Sequence, residues 1–369
     1  MFSATQLDAF SSSSRVRRLS FTLNRLKCPS SDDLRRYLRA MLSQSAILSS
    51  EVPSSQWITD FTFVETAAGP LVVCLTHGGV WTWDPLRDVW QERPLTFACA
   101  GDPLNAPYPD AENDLGSVAA VVSDGRVVLA AGGDEQGFAF WDLESGKLIR
   151  EATYADPYLA AMTEVRGEGS PLFVTATQYA EQILVWRPSA KDALLELPND
   201  LGLIAGLTAV QGHGLSRAAA GGRDGDVSVW DLKLGERIAS FGTEEGCVEA
   251  VSLTRLASNP IVVAAVEHEI YVWDLTRDSD DPIHDPWEGH DETVLTLDTV
   301  TFDDRTLAVT GGEDGAVCIW DLRTGTQIGN PLIGHDRSVE TVRTAVINGR
   351  HVALSAGRDE KINVWDLQA

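Results

Sequence analysis

A four-residue phrase recurs along this chain. Val-Trp-Asp-Leu occupies 229–232, 272–275 and 364–367, Ile-Trp-Asp-Leu occupies 319–322, and Phe-Trp-Asp-Leu occupies 140–143. Two looser copies, Trp83-Asp84-Pro85 and Trp186-Arg187-Pro188, complete the series. The tryptophans Trp83, Trp141, Trp186, Trp230, Trp273, Trp320 and Trp365 are spaced by 58, 45, 44, 43, 47 and 45 residues. Seven of the eleven tryptophans therefore fall on one register. A period of this length means one supersecondary unit per repeat, unable to bury its apolar face alone and stacked on its neighbours.

Each unit reads as β. Short alternating runs, such as 306–310 (TLAVT) and 316–320 (AVCIW), flank a glycine-rich turn at 311–315 (GGEDG), and another run, 294–300, precedes them. A polar turn follows Trp-Asp-Leu, then one more short strand near Gln327. That predicts four strands per unit of about 45 residues. In this pattern, with Gly289-His290 and Gly334-His335 opening the last two units, the chain resembles the WD40 repeat family over about 57–369. The resemblance implies an all-β fold: a seven-bladed WD40-like β-propeller of four-stranded antiparallel blades. Only three residues, 367–369, follow the last Trp-Asp, so the seventh blade is expected to borrow its outer strand from the N-terminal side, at Ala46 to Val52. The expected domains are a basic N-terminal arm, 1–45, and the propeller, 46–369.

His290, Thr310, Asp314 and Trp320 fall at family-like positions in the sixth unit, and His335, Ser355, Asp359 and Trp365 in the seventh, with identical spacings of 20, 4 and 6. The resemblance implies structural tetrads, hydrogen-bonded from Trp through the hydroxyl and His to Asp. Buried indole, hydroxyl and imidazole groups need partners, each costing on the order of 1–3 kcal/mol without one. A Ser355-His335-Asp359 nucleophilic triad is the competing reading. It would require an exposed serine, an oxyanion hole and a cleft, whereas the sister unit carries Thr310 and Trp365 claims the hydroxyl. The fourth unit has Ala220 at the hydroxyl position; the second has Glu135 beside Asp134, and the fifth Glu267 and Val263; the first and third lack the set.

The charge is uneven. The net charge is −25, but residues 1–45 hold eight Lys/Arg and three Asp/Glu, leaving −30 on 46–369. So acidic a domain argues against nucleic-acid partners, which require a basic face. Residues 1–45 read as a mobile arm, with a transit peptide as the alternative. Within them, 31–44 (SDDLRRYLRAMLSQ) reads as a short helix capped by Ser31, packed on the propeller, linking to a further segment, or docking a partner. No run approaches 18 apolar residues, so no membrane role is expected, and no secretory core is evident. Cys28, Cys74, Cys99, Cys247 and Cys318 are odd in number, with no paired metal spacing. Free thiols and a cytoplasmic location are expected.

In the family, the face carrying the loop before each first strand and the turn before each Trp binds partners. Positions just after the first apolar residue of each first strand are Thr59, Ala119, Ala160, Ala205, Glu249, Leu295 and Glu340; those before the turn acid include Arg223, Glu313 and Arg358. Glu249, Leu295, Glu340, Arg223, Glu313 and Arg358 are the partner-binding candidates, against a generic solvated rim. Tyr108, on a Pro-rich acidic insertion at 101–114, joins them as a binding loop or a neutral insertion. Asp278, Asp280, Asp281, Asp285 and His284 read as a solvated loop rather than a calcium site, because the glycine turn and terminal Glu are missing. No phosphate-loop, dinucleotide or zinc-protease motif is present, so no cofactor and no metal are expected. The reading is a non-catalytic protein–protein interaction scaffold docking a protein or peptide on the propeller's top face. The alternatives are an enzyme or small-ligand binder using the channel mouth, and a regulatory or sensor fragment of a larger multidomain machine.

Overall fold

The computed structural model describes residues 46–368, apart from 55, 78, 96–114, 134–136, 153–158, 168–170, 178–181, 191, 213–214 and 244–245. The expected arm at 1–45, its helix near 31–44, and Tyr108 on its insertion lie outside the described residues, as do Asp134 and Glu135. All regular structure among the described residues is β-strand, and no helix there is long and apolar enough to cross a membrane.

Each repeat opens on a nine-residue inner strand: Ile58–Thr66, Leu115–Ser123, Leu159–Gly167, Ile204–Gly212, Val248–Leu256, Val294–Phe302 and Val339–Ile347. A second strand returns antiparallel, and a third ends on or beside the recurring Trp. Consecutive inner strands touch, and the last, Val339–Ile347, touches the first, Ile58–Thr66, so the cycle closes. Most repeats are four-stranded sheets. The third and fourth merge into one eight-stranded sheet, because Val165–Gly167 pairs parallel with Ala209–Gln211.

Outer strands vary. In the sixth repeat the expected single strand at Gln327 is split in two. Thr326–Gln327 pairs with Asp321 and Trp320, and Leu332–Ile333 pairs with Val317 and Ala316. In the seventh, Leu48–Glu51 pairs antiparallel with Lys361–Val364. Ile47 N–H donates to Val364 O at 2.8 Å and Val52 N–H to Glu360 O at 2.9 Å, extending the ladder at both ends. Val52 then packs in one cluster with Ile362, Val364, Phe61 and Trp83, joining the first and last repeats.

The seven recurring tryptophans are all buried, each removing on the order of 200 Å² from water. The Asp after Trp closes the next turn. Asp84 Oδ1 accepts Leu86 N–H at 2.9 Å, Asp231 Oδ1 accepts Lys233 N–H at 2.8 Å, and Asp321 Oδ1 accepts Arg323 N–H at 3.0 Å. Four residues beyond Asp321, Gly325 has φ +67°, and a Cβ there would lie 2.8 Å from Trp287 Nε1. Glycine is required twice over, by backbone and by space.

The Leu48–Glu51 strand covers the edge of the last sheet, and exposed edges invite association between chains. A chain lacking residues 1–55 is expected to aggregate, whereas one lacking 1–30 stays soluble and monomeric, measured by size-exclusion chromatography. Monomeric, soluble 56–369 would show that the closing strand is dispensable.

Candidate functional site

In the sixth repeat Trp320 Nε1 donates to Thr310 Oγ1 at 2.9 Å, His290 Nε2 lies 2.8 Å from that hydroxyl, and His290 Nδ1 lies 3.0 Å from Asp314 Oδ2. In the seventh, Trp365 Nε1 donates to Ser355 Oγ at 2.8 Å, His335 Nε2 lies 2.7 Å from Ser355 Oγ, and His335 Nδ1 lies 2.9 Å from Asp359 Oδ1. Indole N–H can only donate. The hydroxyl therefore spends its proton on Nε2, and Nδ1–H faces the carboxylate. Each Asp also reaches the chain: Asp314 accepts from the amides of Asp291 and Ala316, and Asp359 from that of Asp336. Both hydroxyls are fully buried and committed to Trp and His, so neither is placed to attack a substrate.

Burial pushes the Asp359 carboxyl up. The His335 hydrogen bond, the Asp336 amide and Lys361 outweigh this and hold it below the usual carboxylate range. The counterpart of Asn363, whose Nδ2 lies 3.0 Å from His335 Nε2, is Cys318 in the sixth repeat. Burial, with Asp314 and Asp291 nearby, drives that thiol up to about 12.

The other indoles find different partners. Trp186 Nε1 donates to Thr175 Oγ1 at 2.8 Å, so the third repeat does hold a Trp–hydroxyl link. Its spacing of eleven residues, not ten, hid it in the sequence. Trp83 Nε1 donates to Asp88 Oδ1 at 2.9 Å, Trp230 Nε1 to Pro198 O at 2.9 Å, and Trp273 Nε1 to Asp280 O at 3.0 Å. The acidic loop at 278–285 thus roofs Trp273. Among the described residues no cluster of three or more His, Cys, Asp or Glu could hold a metal.

The pairing register slips at the same place in all seven inner strands, skipping Thr59, Gly116, Ala160, Ala205, Glu249, Leu295 and Glu340. These are β-bulges, which re-aim one side chain out of the ladder. The second repeat corrects the sequence reading. Ala119 is fully buried and pairs with Ala130, and Gly116 holds the bulge. Beside the bulges stand Arg223, Glu313 and Arg358, all exposed. Their amides donate to Leu203 O, Thr293 O and Ser338 O at 2.9, 2.9 and 3.2 Å. Arg358 Nε lies 2.9 Å from Glu340 Oε1, and its guanidinium sits 5.9 Å from the Trp57 ring centroid. Glu249 and Arg223 line one cavity of about 360 Å³. Leu295 is half-buried.

Two buried carboxylates that the sequence reading passed over tie neighbouring inner strands together. Asp60 accepts Val118 N–H at 2.9 Å and Thr341 Oγ1–H at 3.3 Å, with Arg343 Nη2 at 3.4 Å. Burial raises its carboxyl above the usual range, partly offset by Arg343 and the amides of Val118 and Phe61. Asp298 Oδ2 accepts Thr344 N–H at 2.7 Å. The only sequence signal was an acid inside an apolar strand. Along the channel wall, Glu65, Glu164, Gln211 and Arg343 line a cavity of about 540 Å³. A larger one, about 980 Å³, lies toward the far ends of the fourth to sixth inner strands and includes Arg255, Asp304, Arg305 and Arg323.

The family profile described as "WD domain, G-beta repeat" matches residues 281–321, the stretch holding the Gly-His opening, the first tetrad and Trp320. The chain carries a WD40-type repeat at these residues. It is 29% identical over 105 residues to "Guanine nucleotide-binding protein subunit beta" of Zea mays, an alignment spanning 27% of this chain and 27% of that relative. The crystal structure of the computationally designed Ika8 protein superposes with a TM-score of 0.58 at 18% identity, covering 88% of this chain and all of the designed one. That likeness concerns fold alone.

His335→Ala is expected to lower unfolding free energy by about 1–3 kcal/mol in urea titrations, because Ser355 and Asp359 lose a buried partner; an unchanged midpoint would mean the chain of bonds adds nothing. Asp359, held below its unfolded pKa of about 3.9, contributes stability that is complete above that value and lost as pH falls through the lower folded one. The melting-temperature gap between wild type and Asp359→Asn is therefore expected to close on acidification below about pH 4.

Proposed function

We propose that this chain is a seven-bladed propeller acting as a non-catalytic scaffold, docking a protein or peptide on the face that carries the seven bulges. The repeated bulge is the observation that carries this reading. It delivers one residue per repeat to the same end of the ring, and those residues differ: Thr59, Gly116, Ala160 and Ala205 in the first four repeats, Glu249, Leu295 and Glu340 in the last three. A repeat that holds its backbone device constant while varying the side chain presents a surface rather than a reaction centre. The Ser355-His335-Asp359 set that could suggest hydrolysis, like its Thr310 counterpart, is consumed in burying a tryptophan. The maize relative is, by its name, one subunit of an assembly, which fits a partner-bearing role. The net −30 over 46–369 disfavours nucleic acid, and the free thiols Cys74, Cys247 and Cys318 fit a reducing, cytoplasmic setting.

Wild type is expected to capture a protein from source-cell lysate that the folded triple variant Glu249→Lys/Glu340→Lys/Arg358→Glu does not. The variant swaps the Glu340–Arg358 pair rather than breaking it, so lost capture reports the surface and not the fold. Capture by both would move the docking site off this face, and capture by neither would favour a small ligand in the channel.

A further inference from the structure

Arg358 in the seventh repeat and Arg223 in the fourth occupy equivalent positions. Each precedes the turn acid, and each donates its amide to the carbonyl two residues before the bulge, Ser338 O and Leu203 O respectively. Their guanidinium groups meet different surroundings. Arg358 Nε lies 2.9 Å from Oε1 of its own repeat's bulge residue, Glu340, and Ser338 Oγ donates to that same oxygen at 2.6 Å. In the fourth repeat the bulge residue is Ala205, and Leu203 stands where Ser338 does. Among the described residues the Arg223 guanidinium has no hydrogen bond and no ion pair. Where the seventh repeat holds a carboxylate, the fourth has a cavity of about 360 Å³, lined by Ala160, Leu203, Ile204, Ala205, Arg223 and Glu249.

We propose that this cavity takes a carboxylate side chain from an extended peptide, which supplies to Arg223 what Glu340 supplies to Arg358. The proposal rests on the docking reading above and names the chemistry of its partner. A guanidinium binds a carboxylate through two parallel donors. The apolar part of the site sets the neighbour: Leu203 is 39% exposed beside Ala160 and Ala205, so a small aliphatic residue next to the acid completes the contact. Among the described residues, Asp224 follows Arg223 in the chain and Glu249 lines the cavity. Glu249 sits against the Cys247 thiol, which burial and that carboxylate push up to about 12; it is turned toward its own repeat, with no ion pair to Arg223. These acids and the chain's net negative charge repel acidic ligands in general, leaving Arg223 to select one presented in register.

The test uses the labelled full-length chain on arrays of degenerate hexapeptides with Glu, Gln or phosphoserine fixed at the centre and Ala, Val or Leu beside it. The Glu arrays are expected to bind about tenfold more tightly than the Gln arrays, as a charge-assisted pair should. Arg223→Ala is expected to erase that preference, and so is Ala205→Glu, which installs the seventh repeat's own partner. Arg358→Ala leaves the preference intact. Circular dichroism melting checks that each variant is folded. Equal binding of Glu and Gln arrays, no binding of any array, or a preference that survives Ala205→Glu would overturn the assignment, and tighter binding of phosphoserine would replace carboxylate with phosphate. If Arg223→Ala still captures the lysate partner that the charge-reversal variant loses, this pocket is wrong and the scaffold reading stands. If wild type captures nothing, the scaffold reading itself fails.

Discussion

The structure depends on one antiparallel pairing, that of Leu48–Glu51 with Lys361–Val364. A cycle of sheets that are each satisfied internally has only its neighbours to hold it, and a closed cycle has no first or last member to fray. This pairing puts residues more than 300 positions apart into a single ladder. The loop-closure entropy it costs grows only slowly with length, whereas the gain is general: every inner strand acquires two neighbours. The apolar cluster at the seam shows the coupling. Val52, from the N-terminal side, packs with Val364 from the C-terminal end and with Phe61 and Trp83 of the first repeat. Asp60 adds a polar tie across the same seam, bonded to the second and seventh inner strands at once.

Within each repeat the governing demand is a partner for a buried indole N–H. The third-strand tryptophan is kept because it fills the space between sheets, and its nitrogen then has to be satisfied by whatever lies near. A Thr or Ser relayed through His to Asp does so in two repeats, a bare Thr175 in a third, and Asp88 in the first. Backbone carbonyls of Pro198 and Asp280 serve in two more. These solutions are interchangeable for the tryptophan but not for the loops, because the tetrad Asp also binds the amides of the turn it closes. Repeats with the full tetrad therefore have their loops pinned to their cores.

How much of this was legible follows from what sequence spacing can encode. The cadence of tryptophans and the constant interval of His, hydroxyl, Asp and Trp are backbone-register facts, so the strands and both tetrads could be read directly. The Thr175 link escaped because one extra residue shifts it off that interval. In the second repeat the position after the first apolar residue reads as Ala119, whereas the bulge falls at Gly116, because the strand starts earlier and glycine leaves no mark in an apolar run. Asp60 and Asp298 could be seen as misfits in apolar strands, but not what they tied together: Val118, Thr341 and Thr344 come from other repeats, and spacing within a unit carries no information about contacts between units.

The internal repetition also separates structure from function. Repeats share a backbone, so a feature present in all of them, such as the bulge or the Trp-Asp turn, answers to the fold. A feature that differs at an equivalent position is free of that demand. The arginine before the turn acid is the clearest case. In the seventh repeat Glu340, Ser338 and the Trp57 ring surround Arg358, and the site is self-contained. In the fourth, the same backbone geometry carries the same arginine with alanine and leucine in place of its partners. Folding requires neither arrangement, since the Leu203 and Ser338 carbonyls hold the turn identically in both. A guanidinium with no ion pair among the described residues, beside a hollow lined by Leu203, Ala160, Ala205 and Glu249, adds no pair energy to its own repeat, which leaves binding as the physical role that an equivalent, already paired site shows it can perform.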